Sequence, residues 1–127
     1  MRRWPEMLGQ LDHVYYWVTD MDRSVRFYED VVGLRLLERH DSNWAELDAG
    51  SVRLALHGTS EGAPVSTGGA AAAFRVEDLD ATQGALRTRG VEFVHQGEVE
   101  GYGRFALFPD PDGNLIEVIE YASRGTA

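Results

Sequence analysis

Two stretches of this chain repeat one another, and that repeat limits the possible folds more than any other feature. "VTDMDRSVRFYEDVVGLRLLE" begins at Val18 and "VEDLDATQGALRTRGVEFVH" at Val76. Both read V-x-D-[ML]-D, then a helical stretch, a glycine and a short apolar run. Self-similarity of this kind means one structural unit used twice. Asp20 and Asp78 stand at N-cap positions, with Asp22 and Asp80 two residues on, where the positive end of a helix dipole favours them. Met21, Val25, Tyr28 and Val32 share one helical face, as do Leu79, Thr82 and Leu86. Gly33 and Gly90 supply the residue that ends each helix.

Strands account for the rest. One is predicted before each helix, at about residues 11–18 and 70–76. After the first helix come "LRLLERH", "NWAELDA" and "SVRLALH"; after the second come "VEFVH", "GRFALF" and "NLIEVIEY". The Gly/Ser/Pro-rich "GTSEGAPVSTGGA", residues 58–70, reads as a linker, and "PDPDGN", residues 109–114, as a turn. Each half is therefore βαβββ. The expected class is α+β, two tandem βαβββ modules at about 10–57 and 70–121 within a single domain of 127 residues.

Composition narrows the partners. The net charge is −9, and the 12 basic residues are all arginine. No basic stripe exists to neutralise phosphates, which argues against nucleic acid. A negative chain does favour encounter with a cationic ligand. No stretch approaches the 18 or so apolar residues of a membrane span, and "MRRWPEMLGQ" has no apolar core of a signal peptide, so no membrane association and a cytoplasmic location are expected. Cysteine is absent, which removes disulfide and thiol chemistry.

One residue breaks the pattern. In "NLIEVIEYA" alternate side chains share a face, so Leu115, Glu117, Ile119 and Tyr121 lie together. A carboxylate among apolar neighbours needs a cation, an arginine or a proton.

The pattern as a whole resembles the vicinal oxygen chelate superfamily: glyoxalase I, extradiol dioxygenases, methylmalonyl-CoA epimerase and bleomycin-resistance proteins. "DHVYYWVTDMDRSVRFYEDVVGLRL" is similar to its opening strand and helix, and "FPDPDGNLIEVIE" to its closing hairpin, over roughly residues 10–121. The resemblance implies half-cup modules whose curled mixed sheets enclose a cleft, and a homodimer. One face of each sheet then packs on its helix and the other lines the cleft. Alternation assigns Val14, Tyr16 and Val18 to the helix side and His13, Tyr15 and Trp17 to the cleft. Arg53, Ala55 and His57 follow in the fourth strand, Ala71, Ala73 and Arg75 in the fifth, and Glu117 and Tyr121 in the last.

Metal-dependent members of that family place up to four ligands on these strands. His13 and Glu117 match two of the positions, while Ala55 and Ala71 occupy the other two. His57 lies two residues beyond Ala55 on the same face. A divalent site wants three or four protein ligands, so the cofactor expectation is none or one divalent metal ion. Plainer roles stand beside these: His13 as a hydrogen-bonded strand histidine, Glu117 paired with Arg53, Arg75 or Arg104, and Tyr15, Trp17 and Trp44 as space-filling aromatics. The favoured function is binding of a small aromatic or cationic molecule, with Tyr15, Trp17, Trp44, Arg53, His57, Arg75, Arg104 and Tyr121 as candidate contacts. The alternative is a divalent-metal-dependent lyase, epimerase or extradiol dioxygenase acting on a substrate with vicinal oxygens.

Overall fold

The computed structural model describes residues 13–59 and 70–122. Most of the predicted linker, the first residues of the predicted first strand and both termini lie outside the described residues. Two four-stranded mixed sheets result, each crossed by one helix and left open rather than closed into a barrel. The first module contains β1 (His13–Val18), helix α1 (Met21–Arg26) continuing into a π-helical segment (Phe27–Val32), β2 (Arg35–His40), β3 (Trp44–Asp48) and β4 (Arg53–Gly58). The second contains β5 (Ala72–Arg75), α2 (Leu79–Thr88), β6 (His95–Val99), β7 (Gly103–Pro109) and β8 (Leu115–Tyr121). Sheet order is β1-β4-β3-β2 in one and β5-β8-β7-β6 in the other. In each sheet the first and last strands of the module pair in parallel.

The caps act as the repeat requires. Asp20 accepts from the Arg23 amide and Asp78 from the Ala81 amide, each satisfying a donor that the first helical turn leaves open. Gly33, at φ 89°, closes the first helical segment in the left-handed region, where a side chain would be strained. Met21, Val25 and Tyr28 are buried beneath α1, and Leu79 and Leu86 beneath α2. The second stripe also buries Gln83, whose amide donates to Gln96 at 2.9 Å and so enters the interior without an unsatisfied group.

One strand is displaced from its expected place. "VEFVH" is mostly a connection, and the ladder of β6 begins only at His95. Val91 is buried, and its amide bonds the Leu86 carbonyl to finish α2. Phe93 packs against Phe108 with ring centroids 5.6 Å apart. These apolar residues serve the core, and the pairing strand is the more polar "HQGEV" that follows.

A single core joins the modules. Leu54, Leu56 and Leu47 of the first sheet and Ile116, Phe108 and Val118 of the second belong to one cluster under the helices. Each fully buried leucine contributes about 2 kcal/mol. Hydrogen bonds fix how the modules meet: the Tyr16 hydroxyl donates to the Leu115 carbonyl at 2.6 Å and accepts from the Ala72 amide at 2.7 Å. Asn114 Nδ2 donates to the Trp17 carbonyl at 3.0 Å. Burial raises the Tyr16 pKa above its ordinary value.

Candidate functional site

The face of the first sheet turned away from α1 is a three-by-three array set by strand register. His13, Tyr15 and Trp17 of β1 pair with Arg53, Ala55 and His57 of β4. Those residues pair in turn with Asp48, Glu46 and Trp44 of β3. Side chains directly opposite one another share a face, so all nine do. Five of them form one continuous ring cluster. Trp17 and His57 lie 4.1 Å apart, and Tyr15 is 5.7 Å from Trp17 and 5.5 Å from His57. Trp44 stands edge-on to His13 at 5.4 Å and to His57 at 5.5 Å. Tyr15 is 47% exposed, so this surface meets solvent.

Polar groups pin the cluster. The His57 Nδ1 lies 3.0 Å from the Gly58 carbonyl oxygen, which only accepts, so Nδ1 is the donor of this bond. Glu46 accepts from the Trp44 indole N–H at 2.8 Å and from the Arg53 guanidinium at 2.5 Å. The indole bond first, and then Arg53, hold the Glu46 carboxyl below its usual pKa. Glu46 was not singled out from the sequence, although alternation along "NWAELDA" already puts it on the same face as Trp44.

The corresponding face of the second sheet is chemically different. Glu117 sits in its middle, register-paired with Ala73 on one side and Leu107 on the other. Ile119 pairs with Arg75 and Phe105, and the Arg75 guanidinium lies 5.3 Å from the Tyr121 ring centroid.

The arginines expected near Glu117 are engaged elsewhere. Arg104 lies on the α2 side of its sheet, where it pairs with Asp80 and Glu120, each at 3.2 Å. Adjacent strand residues point to opposite faces, so its register partner Glu120 is turned away from Glu117. Arg53 bonds Glu46, and among the described residues no hydrogen bond or ion pair joins Glu117 to another side chain.

Among the described residues no group of three or more His, Cys, Asp or Glu side chains could hold a metal ion. His13 and Glu117, with alanine at 55 and 71, do not fit a site that wants three or four protein ligands. Ala55 is fully buried within the array, whereas Ala71 and Ala73 are exposed. Large neighbours on both flanking strands cover a methyl group that would otherwise leave a gap.

Comparison with known proteins agrees with this fold. The lactoylglutathione lyase of Haemophilus influenzae is 31% identical over 127 residues, covering 90% of this chain and 94% of that protein. The crystal structure of TnmS3, an antibiotic binding protein from Streptomyces sp., is similar at a TM-score of 0.75 and 27% identity, covering 92% of this chain and all of that one. A lactoylglutathione lyase from Agrobacterium tumefaciens shares the fold at a TM-score of 0.75 and 19% identity, covering 91% of this chain and 96% of the other. No helix among the described residues is long and apolar enough to cross a membrane. The sequence model of one family matches residues 10–118, and the chain belongs to it: the glyoxalase/bleomycin resistance protein/dioxygenase superfamily.

Proposed function

We propose that this protein binds a small, flat aromatic or cationic molecule against the ring cluster of the first module, in a cleft completed by a second copy of the chain. The observation that carries this reading is the continuous, solvent-facing array of His13, Tyr15, Trp17, Trp44 and His57. Offset or edge-to-face contact with such rings stabilises a planar ligand, and a cation gains further from their negative faces. The antibiotic-binding relative, similar over nearly the whole chain, supports a binding role. The negative net charge supports a cationic partner.

A second copy is favoured by the openness of both faces. One offers rings and the other a carboxylate, Glu117, with no side-chain partner among the described residues. Stacked face to face in a two-fold assembly, they would enclose a ligand between aromatic and acidic walls.

The second reading, a metal-dependent lyase, epimerase or dioxygenase, is favoured by Glu117, which has no side-chain partner among the described residues, and by the lyase relative at 31% identity. That the described residues hold no group of three or more donors weighs against it. Titration with proflavine, a flat aromatic cation, followed by tryptophan emission and calorimetry, tests the binding reading. Saturable quenching with measurable heat is expected. No saturable binding of proflavine or of neutral acridine would sink it.

A further inference from the structure

We propose that Glu46 is the positioning residue of the aromatic face: its carboxylate sets the orientation of the Trp44 indole and thereby the affinity for a flat ligand. This rests on the reading of that face as a ligand site. Glu46 stands in the centre of the array, paired with Ala55, and its side chain is only 16% exposed. Its two oxygens are both engaged, one by Trp44 Nε1 at 2.8 Å and the other by Arg53 at 2.5 Å.

Trp44 needs such a partner. It opens β3 directly after the turn at residues 41–43, so along its own strand it has a sheet neighbour on one side only. Its ring meets His13 and His57 edge-on, at interplanar angles of 90° and 80°. The terminal torsion of an aromatic side chain has two broad wells, and ring contacts alone discriminate weakly between them. Turning the indole over would keep apolar contact but carry Nε1–H away from the carboxylate. The charge-assisted hydrogen bond is what selects one well. Arg53 holds Glu46 from the other side, so the carboxylate cannot follow a turning indole without breaking a second bond.

The test uses the intact protein with Glu46→Gln, Glu46→Ala, Trp44→Phe and the Glu46→Ala/Trp44→Phe pair. It reads the indole N–H resonance of Trp44 by nitrogen–proton correlation, and proflavine affinity by calorimetry. Glu46→Ala should move the indole resonance towards that of a solvent-bonded indole and weaken proflavine about tenfold. Glu46→Gln keeps a carbonyl acceptor; it should hold the resonance near its native position and affinity within about threefold, while indole proton exchange quickens several-fold. The double variant should bind no more weakly than Trp44→Phe alone, because Glu46 acts through the indole. An unmoved indole in Glu46→Ala, or losses that add in full, overturns the proposal. Unchanged exchange in Glu46→Gln overturns it even if Glu46→Ala does not fold. If proflavine fails to bind the native protein, the ligand reading of the face falls, while the indole measurements still decide the positioning role.

Discussion

The Tyr28 hydroxyl donates to Asp110 Oδ2 at 2.8 Å, tying the helix of the first module to the turn that closes the second. Both residues are buried. Asp110 also accepts from the amides of Asp112 and Asn114 and from Asn114 Nδ2, so one carboxylate organises the turn and anchors it. Asp112, two residues on in the turn, accepts from the Thr19 amide and hydroxyl at the mouth of α1.

Removing that hydroxyl should cost measurable stability. Tyr28→Phe is expected to lower the unfolding free energy by about 1–3 kcal/mol, the range for a lost hydrogen bond to a charged group. Urea unfolding checks the value. Burial first, and then the negative charge of Asp110, hold the Tyr28 pKa well above its ordinary 10.0. The unfolded chain therefore ionises first. This contribution is full below about pH 10 and is lost as pH rises from there towards the folded value. Tyr28→Phe should flatten that alkaline loss; an unchanged alkaline slope would remove Tyr28 as its source.

Trp17 tests the ring cluster directly. Its ring lies 4.1 Å from His57. Trp17→Ala should weaken proflavine binding by about 1 kcal/mol or more, a lost stacking contact plus its buried area. Unchanged affinity would leave Trp17 a packing residue.

Glu117 separates the two functional readings. No side chain among the described residues pairs with it. Glu117→Gln should thus change stability by no more than about 0.5 kcal/mol, the usual span for a substitution that breaks no buried contact. Protein purified without chelator should carry metal well below one equivalent. Stoichiometric metal that survives dialysis and disappears in both His13→Ala and Glu117→Gln would instead establish the metal-dependent reading.

Assembly is checked by sedimentation. The expected species at micromolar concentration has twice the 14.1 kDa mass of one chain. A monomer alone would sink the shared cleft.

Gly58 closes β4 against the turn that precedes Trp44. A Cβ there would lie 2.1 Å from the Ser42 carbonyl oxygen, a backbone atom that cannot step aside cheaply. Gly58→Ala should therefore destabilise the fold by about 1–3 kcal/mol and alter tryptophan emission, because the turn carries Trp44. Thermal unfolding and emission spectra read both effects.

The sequence determined what depends on neighbours along the chain. Helix starts at Asp20 and Asp78, the stop at Gly33, and the burial of Val18 and partial burial of Tyr16 on one face of "HVYYWV" all follow from capping chemistry and the two-residue period of a strand, whereas Val14, expected on that same face, is 38% exposed because it lies near the start of β1. These are local, and the repeat states them twice. The family resemblance followed from the same signals.

Tertiary structure decided what depends on register between strands and on contacts across the modules. Alternation puts Glu117 on the open face but cannot say that Arg53 is already held by Glu46, or that Arg104 faces α2 and Asp80. It cannot say that Ala55 is covered from both flanking strands. "VEFVH" looked like a strand because Val91 and Phe93 are apolar; the core claimed them, and pairing passed to the polar residues beyond. A strand's period assigns faces, whereas which side chains meet on a face is set by pairing between residues far apart in the chain.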